Sequence, residues 1–384
     1  MIPLSVPHIG GNEWQYVKDC LDTGWVSSAG SYVGQFEDKI AEYVGADYGV
    51  ACMNGTSALH LCLGIVGVKE DDYVILPNIT FVASANAVSY TGASPILIDA
   101  DPLTWQMDLD LLEEFLQSRT HRANDGTCIL TSNGRVIRAI MPVHVLGNMV
   151  DMNRLVQIAR KYGIEIVEDA TEALGSSLEG IHAGTFGRFG CFSFNGNKII
   201  STGGGGMIVT AEEVLANRAR HLSTQAKVST EDYIHDETGY NYRLVNVLAA
   251  IGVAQMEQFS DFLTSKKTMD AYYRRHLADV GDITFQAVTP GVDPNCWLFT
   301  FATDRMRSIL RYLNQRGIQS RPFWMPMNQL PMYKNALYVS EADHSAEIYG
   351  RCISIPSSVG LTEADMAAVV DAIKEFYSGS SESA

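Results

Sequence analysis

Short apolar runs alternate with segments of helical length through the first half of the chain. Between residues 47 and 170 the apolar runs are YGVACM, DYVILP, SPILIDA, AIMPVHVLG and IEIVEDA. Helical patterns such as TSALHLCLGIVG, TFVASANAVSYTG and MNRLVQIARKYG separate them. Strands joined by helices of about 10–15 residues predict crossover connections and a mostly parallel sheet. We therefore predict an α/β fold for this part of the chain.

The chain has 384 residues, more than one hydrophobic core usually serves, so we predict two domains. After VTPGVDPN (288–295) a second pattern begins, with WLFTFA as a strand and RMRSILRYLNQRG and EADMAAVVDAIKEFY as helices. This pattern predicts a smaller α+β domain. We assign 1–250 to the larger domain and 251–377 to the smaller one, and expect a disordered tail over 378–384.

Charge and composition narrow the classes of partner. The formal net charge of −16 at pH 7 argues against nucleic acid. The sequence contains no apolar run long enough to span a bilayer, so we expect no membrane association. The seven cysteines include no CxxC pair, and the first residues lack the regions of a signal peptide. We expect a cytoplasmic protein with reduced thiols and no metal site.

A single lysine, Lys198, stands between an apolar run and four consecutive glycines in CFSFNGNKIISTGGGGMIVT (191–210). A Walker A loop needs glycine before the lysine and Ser or Thr after it, whereas Asn197 and Ile199 flank this one. No GxGxxG follows the first strand, which weakens a dinucleotide site. A structural ion pair stays possible. A lysine that forms a Schiff base with a carbonyl explains more of the pattern.

Two further segments end predicted strands, where ligands of parallel sheets collect. In MNGTSALH (53–60), a small polar turn with Gly55 and Thr56 leads into a helix that begins at about Ser57. The free N–H groups at its start suit a phosphate, although plain helix capping is an alternative. In IEIVEDATEALGS (164–176), Asp169 suits a cationic ring nitrogen, and capping of the next turn is equally compatible. Together with a lysine for an aldehyde, these groups describe a site for pyridoxal phosphate, PLP.

Six motifs in order carry a family resemblance: MNGTSALH, PNITFVASANAV, EDATEALGS, SFNGNKIISTGGGGMI, GYNYRLVNVLAAIG and SRPFWMP. Together they resemble the DegT-type aminotransferases, PLP enzymes that aminate keto groups on nucleotide-linked sugars. The similarity runs from about Pro3 to Met366. It implies the type I fold of aspartate aminotransferase and a homodimer with active sites at the interface. The branch with EDATEAL-like segments includes perosamine and legionaminic-acid pathway enzymes.

The resemblance implies a role for each matching residue. Lys198 would hold PLP covalently and then move protons, and Asp169 would pair with the ring nitrogen. The resemblance assigns the cofactor phosphate to Gly55, Thr56 and Ser193, with assistance from Ser57. Phe81 would stack on the ring, although ordinary core packing is its alternative. Asn241 would reach the phosphate of the partner subunit's cofactor, and Arg243 in the same motif would be structural.

The position three residues after Asp169 is less typical of the family, because many relatives have Gln or His there and this chain has Glu172. An anionic glutamate would be repelled by the cofactor's phenolic oxygen, so we expect Glu172 to be protonated or hydrogen-bonded as an acid. In the deoxygenating branch of the family a histidine replaces the lysine. The presence of Lys198 therefore favours transamination.

The substrate side is defined by fewer residues. Trp25, in DTGWVSS, is a candidate wall of the sugar pocket or a packing residue, and Arg321 is a candidate for the diphosphate or nucleotide. His144 lies near the cofactor or is a core histidine. We expect L-glutamate to donate the amino group, leaving as 2-oxoglutarate, and a nucleotide-linked 4-keto-6-deoxy sugar to accept it at C4.

The expected product serves amino-sugar and surface-polysaccharide biosynthesis. A UDP-linked N-acetylated sugar is the first expectation, and GDP-4-keto-6-deoxymannose is the second. A non-catalytic regulator that keeps the PLP fold and a nucleotide-sugar oxidoreductase are the alternatives from other classes.

Overall fold

The computed structural model describes residues 1–229 and 231–379. Their helices are α1 Glu13–Thr23, α2 Ser31–Val44, α3 Gly55–Ile65, α4 Ala83–Tyr90, α5 Leu109–Arg119, α6 Met152–Tyr162, α7 Glu213–Ser223, α8 Asn246–Glu257, α9 Phe259–Leu277, α10 Met306–Gln315, α11 His344–Arg351 and α12 Glu363–Ser378. Their strands are β1 Tyr48–Cys52, β2 Tyr73–Pro77, β3 Ser94–Ile98, β4 Thr120–Arg122, β5 Cys128–Leu130, β6 Ile137–Ile140, β7 Glu165–Asp169, β8 Ser177–Leu178, β9 Ile181–His182, β10 Phe189–Ser193, β11 Gly206–Thr210, β12 Thr284–Phe285, β13 Val292–Asp293, β14 Thr300–Ala302, β15 Arg321–Pro322, β16 Leu337–Val339 and β17 Cys352–Ser354.

Eight strands form the main sheet in the order β1-β11-β10-β7-β6-β2-β3-β16. Strand β11 runs antiparallel to both of its neighbours, and the other adjacent pairs are parallel. The predicted mostly parallel sheet is therefore confirmed. Because the parallel strands point the same way, the ends of β1, β7 and β10 lie along one edge of the sheet, and the residues that follow them meet there.

Strand β2 illustrates why the apolar runs form a sheet that is buried on both faces. All five of its residues are buried. Val74 and Leu76 pack into the apolar cluster on one face of the sheet, whereas Tyr73 and Ile75 pack into the cluster on the other face. This alternation follows from the two-residue period of a strand. Helices cover both faces, which explains the continuous apolar runs that the sequence shows.

A second sheet, in the order β12-β14-β17-β15, is antiparallel. Residues of α9, α10 and α12 pack against it in a separate apolar cluster. This is the α+β pattern that the sequence predicts for the C-terminal part. Strand β16 returns to the main sheet beside β3, and Ile2 forms a bridge with Ile318. The boundary at residues 250 and 251 falls inside α8 and stays a prediction.

Helix α12 includes Ser378, the first residue of the predicted tail. Residues 380–384 of that tail lie outside the described residues. Over the part of the chain that the structure describes, every helix is too short or too polar to cross a bilayer.

Candidate active site

One pocket, of about 210 Å³, opens at the edge of the main sheet where β1, β7 and β10 end. It brings together the following sequence-predicted residues: Gly55, Thr56, Phe81, Asp169, Glu172, Ser193 and Lys198. These residues are separated by up to 143 positions along the chain (198 − 55), and the parallel sheet places them together. Their individual roles stay predictions.

Lys198 lies in the turn that follows β10, where its backbone N–H donates to the carbonyl of Asn195 at 3.0 Å. Its Nζ lies 3.7 Å from Oε1 of Glu172 and 4.0 Å from the centroid of the Trp297 ring. Desolvation by burial lowers the pKa of the Lys198 amine, against the opposing charges of Glu172 and Asp169. A lowered pKa leaves more of the amine in the neutral, nucleophilic form.

The glycines after Lys198 allow two backbones to approach each other. A Cβ at Gly206 would lie 2.5 Å from the carbonyl carbon of Asn54 and 2.8 Å from the nitrogen of Gly55. Gly203 has a φ of +79°, which residues with side chains rarely adopt. The glycine run therefore lets β11 begin directly against the turn that starts α3, and so brings Lys198 beside that helix.

Asp169 ends β7 with its side chain buried and facing the pocket. Ser84 donates its hydroxyl to Oδ2 at 2.6 Å, and the N–H of Thr171 donates to Oδ1 at 3.2 Å. These donors fix the carboxylate and leave it without a described cationic partner at ion-pair distance. A cationic ring nitrogen would supply that partner.

The surroundings of Glu172 favour the protonated form that the sequence led us to expect, although its role at the cofactor stays a prediction. Burial raises its pKa to about 7, although the nearby Lys198 charge opposes the rise. Its Oε2 accepts the N–H of Leu146 at 2.9 Å. At neutral pH the group is therefore divided between the acid and its anion, and the acid form donates rather than accepts a proton.

The turn from β1 into α3 has the features of a phosphate site. Asn54 caps the helix by accepting the N–H of Ser57 at 2.8 Å, so α3 begins two residues earlier than the sequence suggested. A Cβ at Gly55 would lie 3.0 Å from the Ser193 side chain and 3.0 Å from the Thr171 side chain, so any larger residue would crowd this cradle. Hydroxyl groups and free helical N–H groups are the donors that a phosphate needs. Ser57 is buried and is not among the residues that line the pocket.

Together, the cradle, the buried carboxylate and the amine of lowered pKa fit PLP. Phe81 is 53% exposed on the pocket wall, which favours ring stacking over core packing. Sequence reasoning missed Ser84, Trp297 and Trp324. Ser84 lies inside the motif PNITFVASANAV, about one turn after Phe81. This spacing was a weak signal that Ser84 faces the same pocket. Trp324 lies inside the motif SRPFWMP, whereas no local pattern distinguished Trp297, and both come from the C-terminal part of the chain.

The other predicted residues lie outside this pocket lining. His144 is fully buried, with Nε2 3.0 Å from Glu168, which favours the alternative of a core histidine. Trp25 and Arg321 are exposed, and the Arg321 guanidinium donates to the Ser320 carbonyl at 3.4 Å. Asn241 is exposed, and the Arg243 guanidinium pairs with the buried carboxylate of Glu37 on α2, which favours a structural role for Arg243. The substrate roles of Trp25, His144 and Arg321 stay predictions.

Comparison with known proteins identifies the family. Residues 7–374 match the DegT/DnrJ/EryC1/StrS aminotransferase family. The chain belongs to this family. GDP-perosamine synthase of Escherichia coli O157:H7 is 36% identical over 98% of this chain and 99% of its own length. EpsN of Bacillus subtilis (strain 168), whose name describes a pyridoxal phosphate-dependent aminotransferase, is 35% identical over 98% of this chain and 96% of its own.

The fold is also found among solved structures. An aminotransferase of the same family from Brucella abortus superposes with a TM-score of 0.88 at 26% identity, and the match covers 95% of both chains. The predicted transferase fold and the prediction of a PLP-dependent aminotransferase are therefore confirmed. The oxidoreductase alternative is excluded by the same matches.

The raised pKa of Glu172 predicts a pH-dependent stability of the cofactor-free protein. The unfolded chain ionises this group near 4.5, whereas the folded chain holds the proton up to about 7. The folded state therefore binds more protons between these values, and the free energy of unfolding falls as pH rises through this window, by roughly 3 kcal/mol at most. We expect the free energy of unfolding of Glu172→Gln, obtained from urea unfolding curves at a series of pH values, to lack this fall.

The matched control for that experiment is Glu42→Gln, at an exposed position of α2. This variant should keep the wild-type decline between pH 4.5 and 7. An unchanged decline in Glu172→Gln would show that Glu172 is not the group responsible.

Proposed function

We propose that this aminotransferase moves the amino group of L-glutamate to C4 of a GDP-linked 4-keto-6-deoxy sugar. The observation that carries the proposal is the convergence of Lys198, Asp169 and the Gly55 cradle on one pocket. The GDP-perosamine synthase relative, 36% identical over nearly its full length, supports GDP over the UDP-linked sugar expected first from the sequence. A UDP-linked N-acetylated sugar is the second candidate.

PLP supplies an aldehyde and a cationic ring that delocalises the electrons of the broken C–H bond. We assign the other tasks to residues of this chain. Asp169 would hold the ring nitrogen in its protonated form, and Ser84 keeps that carboxylate in place through its hydroxyl. Lys198 would serve as the base that takes and returns the proton of the reacting carbon, because an amine of lowered pKa is more often in the neutral form that accepts a proton.

Two further groups act around this lysine. Glu172 supplies a second acid 3.7 Å from the lysine nitrogen. Trp297 covers the amine and keeps water from it, since its ring lies 4.0 Å away. The result is a proton-transfer site shielded from solvent, which suits successive proton transfers on two different substrates.

The nucleotide is tested by comparing kcat/KM for GDP-linked and UDP-linked 4-keto-6-deoxy sugars, with L-glutamate as donor. We expect the GDP-linked sugar to be preferred by at least about tenfold, the equivalent of 1.4 kcal/mol. Consumption of glutamate that depends on the sugar nucleotide, with equimolar 2-oxoglutarate, checks the donor. An equal or greater kcat/KM for the UDP-linked sugar would contradict the choice of GDP.

We further propose a homodimer in which Asn241 serves the partner subunit's site. Asn241 is exposed and is absent from the pocket lining of its own chain. Two exposed apolar side chains belong to segments that lie beside the segment of Asn241: Trp25 is 57% exposed and Met53 is 43% exposed. Both are tied to this region, because Asn246 donates to the Trp25 carbonyl and the Met53 N–H donates to Tyr242. An exposed apolar face of this kind suits a subunit interface.

A hybrid dimer tests this arrangement. Asn241→Ala and Lys198→Ala should each give a dimer of low activity. Refolded together, they should regain activity, because the mixed dimer contains one site with an intact Lys198 and an intact Asn241. We expect about a quarter of wild-type turnover, because half of a random mixture is hybrid and one of its two sites is complete. If Asn241 serves its own chain, mixing restores nothing.

We also place the enzyme in the cytoplasm. The seven cysteines are all unpaired thiols, which suits a reducing compartment.

A further inference from the structure

Lys266, on α9, is a buried lysine outside the pocket lining. Its side chain is 1% exposed, and its Nζ donates to the carbonyl oxygens of Trp297, at 2.8 Å, and of Ser357. Among the described residues no carboxylate lies within ion-pair distance of this nitrogen. Burial lowers its pKa to about 7. Burying an ammonium group without an acid is costly, so the two carbonyls are its compensation.

The first of these carbonyls belongs to the residue that covers Lys198. The Trp297 ring lies 4.0 Å from the Lys198 nitrogen, and its Nε1 donates to the carbonyl of Asn197 at 2.7 Å. The preceding residue, Cys296, has a φ of 55°, which side chains disfavour. The backbone here is therefore held in a conformation that needs external support, and Lys266 contacts it directly.

The second carbonyl, that of Ser357, anchors the lysine to the segment that follows β17 of the C-terminal sheet. The N–H of Ser357 donates to the Leu4 carbonyl at 2.6 Å, and its hydroxyl accepts the N–H of Phe299 at 2.9 Å. Lys266 thus joins the Trp297 backbone to a segment that is itself fixed at two points. A neutral side chain of the same length would fill the space and leave both carbonyls without their donor.

We infer that Lys266 is a positioning residue, whose buried amino group holds the Trp297 backbone and thereby keeps the indole ring over Lys198. The inference rests on the proposed role of Lys198 as the cofactor lysine. Lys266 touches neither the pocket nor the reacting atoms, and acts through Trp297 alone. Its loss should let water reach the Lys198 nitrogen. Because desolvation is the largest influence on the pKa of Lys198, that water should move this pKa back up.

The test measures the pKa of Lys198 in the cofactor-free, full-length protein. Pulses of acetic anhydride over a pH series label each amine according to its neutral fraction, and mass spectrometry reads the Lys198 peptide. We expect Lys266→Met to raise the Lys198 midpoint by about one pH unit. Lys267→Met is the matched control: this neighbour on α9 is exposed and pairs with Asp293 at 2.7 Å, so the midpoint should stay at the wild-type value.

A double-mutant cycle separates positioning from a general loss of stability. Trp297→Phe should raise the midpoint by itself, and adding Lys266→Met should raise it no further. Additive shifts in the double variant, or a wild-type midpoint in Lys266→Met, would overturn the inference. Should Lys266→Met not fold, Lys266→Arg supplies the second variant, because its bulk must displace Trp297. Its shift should likewise vanish in the Trp297→Phe background.

This readout is independent of the proposed substrate. A preference for UDP-linked sugars, or a different amino donor, would leave the labelling results unchanged. If Lys198 were not the cofactor lysine, Lys198→Ala would keep its turnover, while the coupling between Lys266 and Trp297 would still be measured.

Discussion

Lys198→Ala is expected to lower kcat by at least about a thousandfold while the protein stays folded. Proton transfer by a positioned side chain alone contributes about 10²–10⁴-fold, and the covalent hold on the cofactor adds to it. The fold should tolerate the change, because Glu172, left without Lys198, becomes a neutral acid as its pKa rises further. Glutamate-dependent formation of 2-oxoglutarate in the presence of the keto sugar nucleotide measures the loss.

Chemical rescue makes this experiment specific to proton transfer. Small primary amines added to Lys198→Ala should restore part of kcat, increasingly with the basicity of the amine, because the pocket then holds a substitute base. Lys161→Ala, which removes an exposed lysine paired with Glu113 at 3.0 Å, should retain wild-type kcat. Full turnover in Lys198→Ala would remove the lysine from the mechanism.

The site residues that could be predicted from the sequence are those that lie at or shortly after the end of a strand. Asp169 ends an apolar run, and Gly55 and Lys198 follow such runs by a few residues. A parallel sheet must bring residues in these positions to one edge. Because strand position fixes their location, their convergence was predictable from the alternating pattern alone. The residues that flank Lys198 argued against a phosphate loop and left an ion pair and a Schiff base open, and the family resemblance then favoured the Schiff base.

The residues that sequence reasoning missed reach the pocket by tertiary packing. Trp297 arrives from a loop nearly a hundred positions after Lys198, and its ring is oriented by contacts with Asn197 and Lys266. Neither contact corresponds to a helix or strand period or to a motif spacing, so the sequence alone does not reveal it. His144 illustrates the opposite case, since it follows an apolar run but turns into the core to meet Glu168. A strand end therefore predicts which edge a residue reaches and not which way its side chain points.

The second large effect is expected for Asp169→Asn. The amide keeps the shape of the side chain and still accepts the Ser84 hydroxyl, but it loses the charge that would pair with the ring nitrogen. Breaking a buried charge pair costs about 3 kcal/mol or more, so kcat should fall by at least about a hundredfold. Ser84→Ala leaves the charge in place and should lower kcat by about tenfold or less.

Glu168 provides the control that separates chemistry from folding, because it neighbours Asp169 and points to the opposite face. Its carboxylate accepts the N–H groups of Gly184, Phe186 and Gly187 at 2.7–2.8 Å, and contacts His144 at 3.0 Å. Glu168→Gln should therefore lower the thermal unfolding midpoint and leave the kcat of the folded enzyme near wild type. Asp169→Asn should keep the thermal unfolding midpoint near the wild-type value and lower kcat. If both variants lost stability and kcat in parallel, Asp169 would act through the fold, and the ring-nitrogen assignment would fail.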